Sequence, residues 1–381
     1  MKKNRLFALV LVVALMLTAL AGCGSSSGGT IKIGAIDPLT GAQALFGQDE
    51  KQGKEMAVAE LNKAGGILGK QIELIHEDDG AQAPQAAAAA TKLITKDKVV
   101  AISGAHASGT TLAVMEVIAE HGIPCITPGA SSPRITNSGN EWISRGIPDD
   151  ILQSKILVKY AKEVLGFSKL GLLYANDDYG QGGYGAAVDA AKEFGVELVA
   201  ESFMGDDQNF TPQISKLKDA GVEGVMLWCV YTPGSLICKQ IRDMGWEVQM
   251  LGSPGVNNPQ AFELSDNAID GIIMTTGFVA KDPDQYVQDW ITRYQEMWGM
   301  EPSQTSAVGY DSIMLLAEAI ERAGSTEPAA IQREIRNTKD FKSLKGMLTI
   351  NSETGEYECE IRLVQADAAT KTFIFIDTYN L

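Results

Sequence analysis

The chain has 381 residues, with 32 Lys+Arg against 48 Asp+Glu, a formal net charge of −16 at pH 7, three histidines and five cysteines. An acidic balance excludes a basic nucleic-acid-binding surface, and the length exceeds one ordinary core, so two domains are expected. No C-x-x-C and no H-E-x-x-H occurs, so neither a zinc scaffold nor a zinc hydrolase is encoded.

At the N-terminus, Lys2, Lys3 and Arg5 precede an apolar run from Leu6 to Leu20. A basic start, a short apolar stretch and small residues read as a secretory signal. The run is about 15 residues, shorter than the ~20 a spanning helix needs. Leu20-Ala21-Gly22-Cys23 resembles the bacterial lipobox, whose cysteine thiol receives a diacylglyceryl group and becomes the mature N-terminus. The expectation is a signal peptide over residues 1–22, a lipid anchor on Cys23, and a Gly/Ser tether over residues 23–30. Two acyl chains on one residue meet the two-signal requirement for stable anchoring to a membrane.

From Thr30 onward, apolar runs alternate with helical segments. IKIGAID reads as a strand, GKEMAVAELNKAGG as a helix with a Gly-Gly stop, KQIELIHEDD as a strand and APQAAAAATKLITKD as a helix. VVAISGA, GTTLAVMEVIAEHG and PCITPGA continue as strand, helix, strand. The pattern restarts with SKLGLLYAND, GYGAAVDAAKEFG and VELVAESF. TPQISKLKDAG follows as a helix with Thr211 as its cap, then VEGVMLWCV, GSLICKQIRDMG and VQMLGS. IDGIIMTTGF, further helices and a strand-rich tail complete both units. Strict alternation of this kind predicts an α/β fold: two Rossmann-like lobes with parallel sheets covered by helices on both faces. Ligands of such sheets sit beyond the carboxyl ends of the strands, where helix N-termini favour anions.

Three strings imitate catalytic or cofactor motifs. Gly180-x-Gly182-x-x-Gly185 has the dinucleotide-binding form, but residues 175–179 separate it from its strand, and Asp177 and Asp178 would repel a pyrophosphate. AGGILGKQ places Ala64 and Gln71 where a phosphate loop needs Gly and Ser or Thr. No G-x-S-x-G and no nucleophile–base pair is present, so no catalysis, cofactor or metal is expected. His76 reads as structural and His121 as a helix C-terminal residue. His106, in the loop SGAHASGTT at a strand's carboxyl end, reads as either pocket wall or exposed loop. Cys125 and Cys229 lie in apolar runs and read as buried free thiols, although a Cys229–Cys238 bridge remains open.

Taken in order, IKIGAIDPLTGAQALFGQDEKQGKEMAVAELNKAGGILGKQIELIHEDDG, GIPCITPGASSPRIT, YANDDYGQG and GYDSIMLLAEAIERAG carry a resemblance. The chain resembles solute-binding lipoproteins of ABC importers, of the leucine/isoleucine/valine-binding type with a type I periplasmic binding protein fold. The resemblance implies a bilobed shell that closes on a small-molecule ligand by hinge bending and docks on permease subunits. It implies three crossovers, near 147–150, 276–278 and 345–351. The first lobe would then hold residues 31–147 plus 279–346, and the second 148–278 plus 347–381.

Site residues carry over position by position. Ser108 and Ser131 match hydroxyls that bind a ligand carboxylate, although a serine at either place would also serve as a plain helix cap. Ala107 precedes the first, and Gly129 would offer its carbonyl to an amine. Phe46 matches an aromatic that covers the pocket from the first loop. Tyr179 and Tyr231 match second-lobe tyrosines that close over the ligand. One departure is at Pro254, which stands where amino-acid binders carry an acidic partner for the ammonium. Asp177, Asp178, Asp311 or Asn257 would have to substitute, or the ligand is an aromatic or aliphatic carboxylate, or a small amide, without an amine. The implied function is extracytoplasmic capture of an amino acid, with a ligand-sensing subunit of a signalling receptor as the other class.

Overall fold

The structure is a computed structural model that describes residues 29–379. The expected signal peptide, Cys23 and most of the tether lie outside the described residues.

Two sheets organise the chain. The first joins β1 (Ile31–Asp37), β2 (Ile72–Asp78), β3 (Ala101–Ser103), β4 (Cys125–Thr127) and β5 (Ile143–Arg145) in the order β2-β1-β3-β4-β5. All four pairings are parallel. The second contains β6 (Lys169–Ala175), β7 (Glu197–Phe203), β8 (Gly224–Trp228), β9 (Gln249–Gly252) and β10 (Ile273–Thr276), ordered β7-β6-β8-β9-β10. This repeats the first order, again in parallel. The tail adds β14 (Ile361–Asp367) and β15 (Thr372–Tyr379) antiparallel to its edge.

Each sheet is buried on both faces, which is why its strands read as continuous apolar runs. In the first lobe, Met56, Trp290 and Leu316 cover one face, while Ala90, Val114 and Ile118 cover the other. In the second, Leu157 and Ala187 pack on one face and Ile214, Ile237 and Phe262 on the other.

Local differences from the sequence reading have physical causes. The first helix runs Ala44–Lys63, starting nearer β1 than expected, so Phe46 sits in its first turn rather than in a loop. The helix Thr211–Asp219 is preceded by Phe210, and the Thr211 side chain makes no capping bond. Strand β5 was not read because it is three residues long and ends on Arg145. That guanidinium is fully buried, donating to Ala130 O at 2.6 Å, Ser132 O at 3.0 Å and Thr136 Oγ1 at 2.9 Å. Cys125, Cys229, Cys238 and Cys359 are all free, and the first three are buried, so no Cys229–Cys238 bridge forms.

The chain passes to the second lobe between β5 and the helix beginning at Asp150, and returns between β10 and Phe278. The third crossing falls later than 345–351. β11 (Phe341–Ser343), β12 (Gly346–Ile350) and β13 (Tyr357–Glu358) form a small antiparallel sheet. Its Leu348, Ile350 and Tyr357 are buried in the first lobe's core. Glu356 pairs with Arg145 at 3.0 Å, and Arg145 N donates to Gly355 O at 3.0 Å. Residues 347–358 thus belong with the first lobe, and the chain rejoins the second sheet at β14, with β15 after it.

Candidate functional site

In an order of this kind, the strands on either side of the first strand run to opposite faces through their helices, leaving a crevice at the carboxyl ends. Both sheets have that crevice, and the two face each other across a cavity of about 230 Å³. The first lobe contributes Phe46, His106 and Ala107 after β3 with the start of the following helix from Ser108 to Thr110, and Gly129 and Ser131 after β4. The second contributes Asp177, Asp178 and Tyr179 after β6, Val230 after β8, and Pro254 and Gly255 after β9. The crossing segments close the back through Pro148, Thr276, Phe278 and Ile361, with Lys345 of the first lobe beside them.

Of the expected site residues, Ser108, Ser131, Gly129, Phe46, Tyr179, His106 and Ala107 line this cavity, and Tyr231 does not. Tyr231 stands behind Phe46. Its ring meets Phe46 edge-on at 4.8 Å, and its hydroxyl donates to Ala42 O at 3.3 Å. Ser108 opens the helix Ser108–His121, and its Oγ accepts from Ser132 N at 3.3 Å, tying the two serine loops together. Arg145, to which the sequence reading gave no role, grips the carbonyls on both sides of Ser131. A buried arginine with backbone acceptors fixes a loop that has no regular structure of its own.

Gly129 has a steric reason to be glycine. A Cβ there would lie 2.2 Å from Nδ1 of His106. The His106 ring therefore packs directly on the backbone of the β4 loop, with Phe46 at 5.1 Å on its other side. Nδ1 of His106 lies 2.6 Å from Oε2 of Glu50, whose side chain is fully buried. Behind Glu50 runs an ion chain: Lys54 Nζ is 2.6 Å from Glu50 and 2.6 Å from Asp37, and donates to Ser103 O at 3.0 Å. Burial alone would raise the Asp37 carboxyl, but Lys54 and His76 hold it down at about 2. Buried charges persist only when paired in this way.

The groups available to an ammonium are mostly engaged. Asp177 caps the helix Asp178–Phe194, accepting from Gly180 N at 2.8 Å. Asp178 pairs with Arg134 of the first lobe. Asp311 pairs with the buried Lys345. Asn257 is buried outside the cavity lining. Pro254 O accepts from Gln304 Nε2 at 2.7 Å, a contact across the cleft. One carboxylate that the sequence reading missed is Asp150, at the start of the helix Asp150–Glu163. It is fully buried beside Ser131 and Trp228, and neither carboxylate oxygen has a hydrogen-bond partner. Burial, offset only in part by Ser131 and Arg145, pushes it up to about 7. Its signal was faint, because Asp149 before it is the ordinary helix cap.

The glycine string Gly180-x-Gly182-x-x-Gly185 binds no phosphate in this arrangement. Asp177 occupies the helix N-terminus, and the neighbouring Gly183 is required because a Cβ there would lie 2.2 Å from the Trp228 ring.

Residues 30–371 match the family model described as periplasmic binding protein. The Leu/Ile/Val-binding protein homolog 3 of Brucella melitensis is 30% identical over 352 residues, covering 91% of this chain and 94% of that protein. The leucine-binding protein LivK of Thermotoga maritima superposes with a TM-score of 0.87 at 29% identity, covering 92% of this chain and 99% of that one. LivJ of Streptococcus pneumoniae, in complex with isoleucine, gives 0.84 at 28% identity, covering 91% and 99%. With two sheets of one topology facing a shared cavity, and a family match across nearly all described residues, this chain belongs to the periplasmic binding protein family.

Proposed function

We propose that this protein is the solute-binding component of an ABC importer. It captures a small carboxylate-bearing ligand, an amino acid with a compact branched side chain, and delivers it to permease subunits. It performs no catalysis, and it works outside the cytoplasm, tethered through lipid on Cys23. The observation that carries this reading is the convergence of Ser108 and Ser131 on the interlobe cavity. Hydroxyls and free N–H groups there suit a carboxylate without requiring a full positive charge. Relatives named for leucine, isoleucine and valine support the ligand class.

A second reading is favoured by Pro254 and by the engagement of Asp177, Asp178 and Asp311. An ammonium buried without an acidic partner is costly, so a carboxylate lacking an amine fits the same serines. A thermal-shift screen of the purified protein against amino acids and organic acids separates the two, because a ligand of the native state raises the melting temperature by mass action. Shifts with branched amino acids support the first reading, and shifts confined to benzoate-like or aliphatic acids support the second. A protein that no carboxylate stabilises is not a binder of this kind. The tether is tested separately: Cys23→Ser should abolish incorporation of labelled fatty acid and release the protein from the membrane fraction.

A further inference from the structure

We infer that His106 selects ligands whose side group both donates and accepts a hydrogen bond, a hydroxyl or a carboxamide, over their apolar isosteres. The inference rests on the carboxylate-binding reading and concerns the other end of the ligand.

The cavity wall combines apolar or small residues, Phe46, Ala81, Ala83 and Val230, with the polar Gln43 and Thr110, and the carboxyls of Asp49 and Asp79 lie close enough to His106 to feel its charge. An imidazole among them is only 13 % exposed, so whatever meets its edge within the cavity does so with little competing water. Its orientation is fixed from three sides. Gly129 leaves space for the ring to lie on the backbone, Phe46 packs on it, and Glu50 holds Nδ1. Glu50, held by Lys54, offers Oε2 as an acceptor, and Nδ1 donates to it. The remaining nitrogen, Nε2, makes no hydrogen bond or ion pair among the described residues, and His106 lines the cavity.

Nε2 accepts a hydrogen bond when the imidazole is neutral and donates one when it is protonated. A hydroxyl or a carboxamide satisfies it in both states. A methyl group satisfies it in neither and leaves a desolvated nitrogen unpaired, which is the expensive case. Sites built to bond a hydroxyl reject the analogue that lacks it far better than apolar pockets reject an added hydroxyl.

Calorimetry on the full protein with isosteric pairs tests this: threonine against valine, asparagine against leucine, and 4-hydroxybenzoate against benzoate. The expected result is that the polar member of whichever pair binds is preferred by about 10-fold or more. In His106→Leu that preference should fall to parity or reverse. His106→Asn is the second variant, because an amide N–H takes the place of Nδ1–H toward Glu50 while the Nε2 atom is lost. It should lose the preference while keeping the wild-type melting temperature. Equal affinity for both members in the wild type overturns the inference, as does a polar preference that survives both substitutions. An equal loss for both members of a pair also overturns it, because that places His106 at the carboxylate. Binding of no member of any pair overturns the carboxylate reading and this inference with it.

Discussion

Phe46 of the first lobe and Tyr231 of the second meet edge to face across the cleft, with ring centroids 4.8 Å apart and planes at 81°. The contact exists only while the lobes are together, so it contributes to closure rather than to the stability of either lobe. Aromatic pairs of this geometry are worth about 0.5–1.5 kcal/mol beyond their buried area. Tyr231→Ala should therefore weaken ligand binding by roughly 2- to 10-fold, with little change in the unliganded melting temperature. Tyr231→Phe, which loses only the bond to Ala42 O, should cost less. Titration calorimetry on both variants checks the order.

Ser108 and Ser131 are expected to act chiefly on the ligand, their contacts to Ser132 N and Asp150 being the smaller part of their effect. Hydrogen bonds to a charged group contribute about 1.5–3 kcal/mol each, so Ser108→Ala and Ser131→Ala should each weaken binding roughly 10-fold or more. Melting temperatures without ligand should stay near wild type. Unchanged affinity in both variants would remove these serines from the site.

Asp150 makes stability depend on pH. Its carboxyl is pushed from 3.8 up to about 7 by burial. Between these values the folded protein keeps a proton that the unfolded chain has lost. The stabilisation is complete below about pH 4 and is lost as pH rises through 7, where the buried group must ionise. Asp79, pushed by burial to about 6, adds in the same direction. Asp150→Asn stays neutral throughout, so at pH 8 it should exceed wild type by on the order of a few kcal/mol. The advantage should shrink toward pH 4.5. Thermal melts at the two pH values decide it, and a difference independent of pH would show that the carboxyl does not titrate in the fold.

Two glycine substitutions should separate packing from binding. Gly183→Ala drives a methyl into the Trp228 ring in the second lobe's core and should destabilise by about 1–3 kcal/mol. Gly129→Ala drives one into His106 and should chiefly weaken binding. Melts and titrations on both variants test the split.

Much of this architecture was legible because parallel strands buried on both faces appear as apolar runs, and β1 and β7 could be placed almost to the residue. The loops at the strand ends followed, and the family resemblance pointed to Ser108, Ser131 and Tyr179 on them. Three features were not legible, each because the stabilising partner lies far away in sequence. β5 ends in a charged residue whose burial depends on Glu356 and on carbonyls of the preceding loop. The second half of the β11–β13 sheet looks like part of the tail until Leu348 and Tyr357 are seen in the first core. Asp150 resembles an ordinary N-terminal helix acid until the second lobe covers it.

The late third crossing also bears on synthesis. The first lobe's core is assembled from both ends of the chain, from Ile31 to Tyr357, with the long helix Gln304–Ala323 lying along the helix Ala44–Lys63. A polypeptide emerging N-terminus first cannot finish that core until Tyr357 has been made. The second lobe's sheet likewise waits for β14. Neither lobe is complete in sequence ahead of the other, although one face of the first lobe's sheet, packed by residues from Ile36 to Ile143, has all its parts by the end of β5.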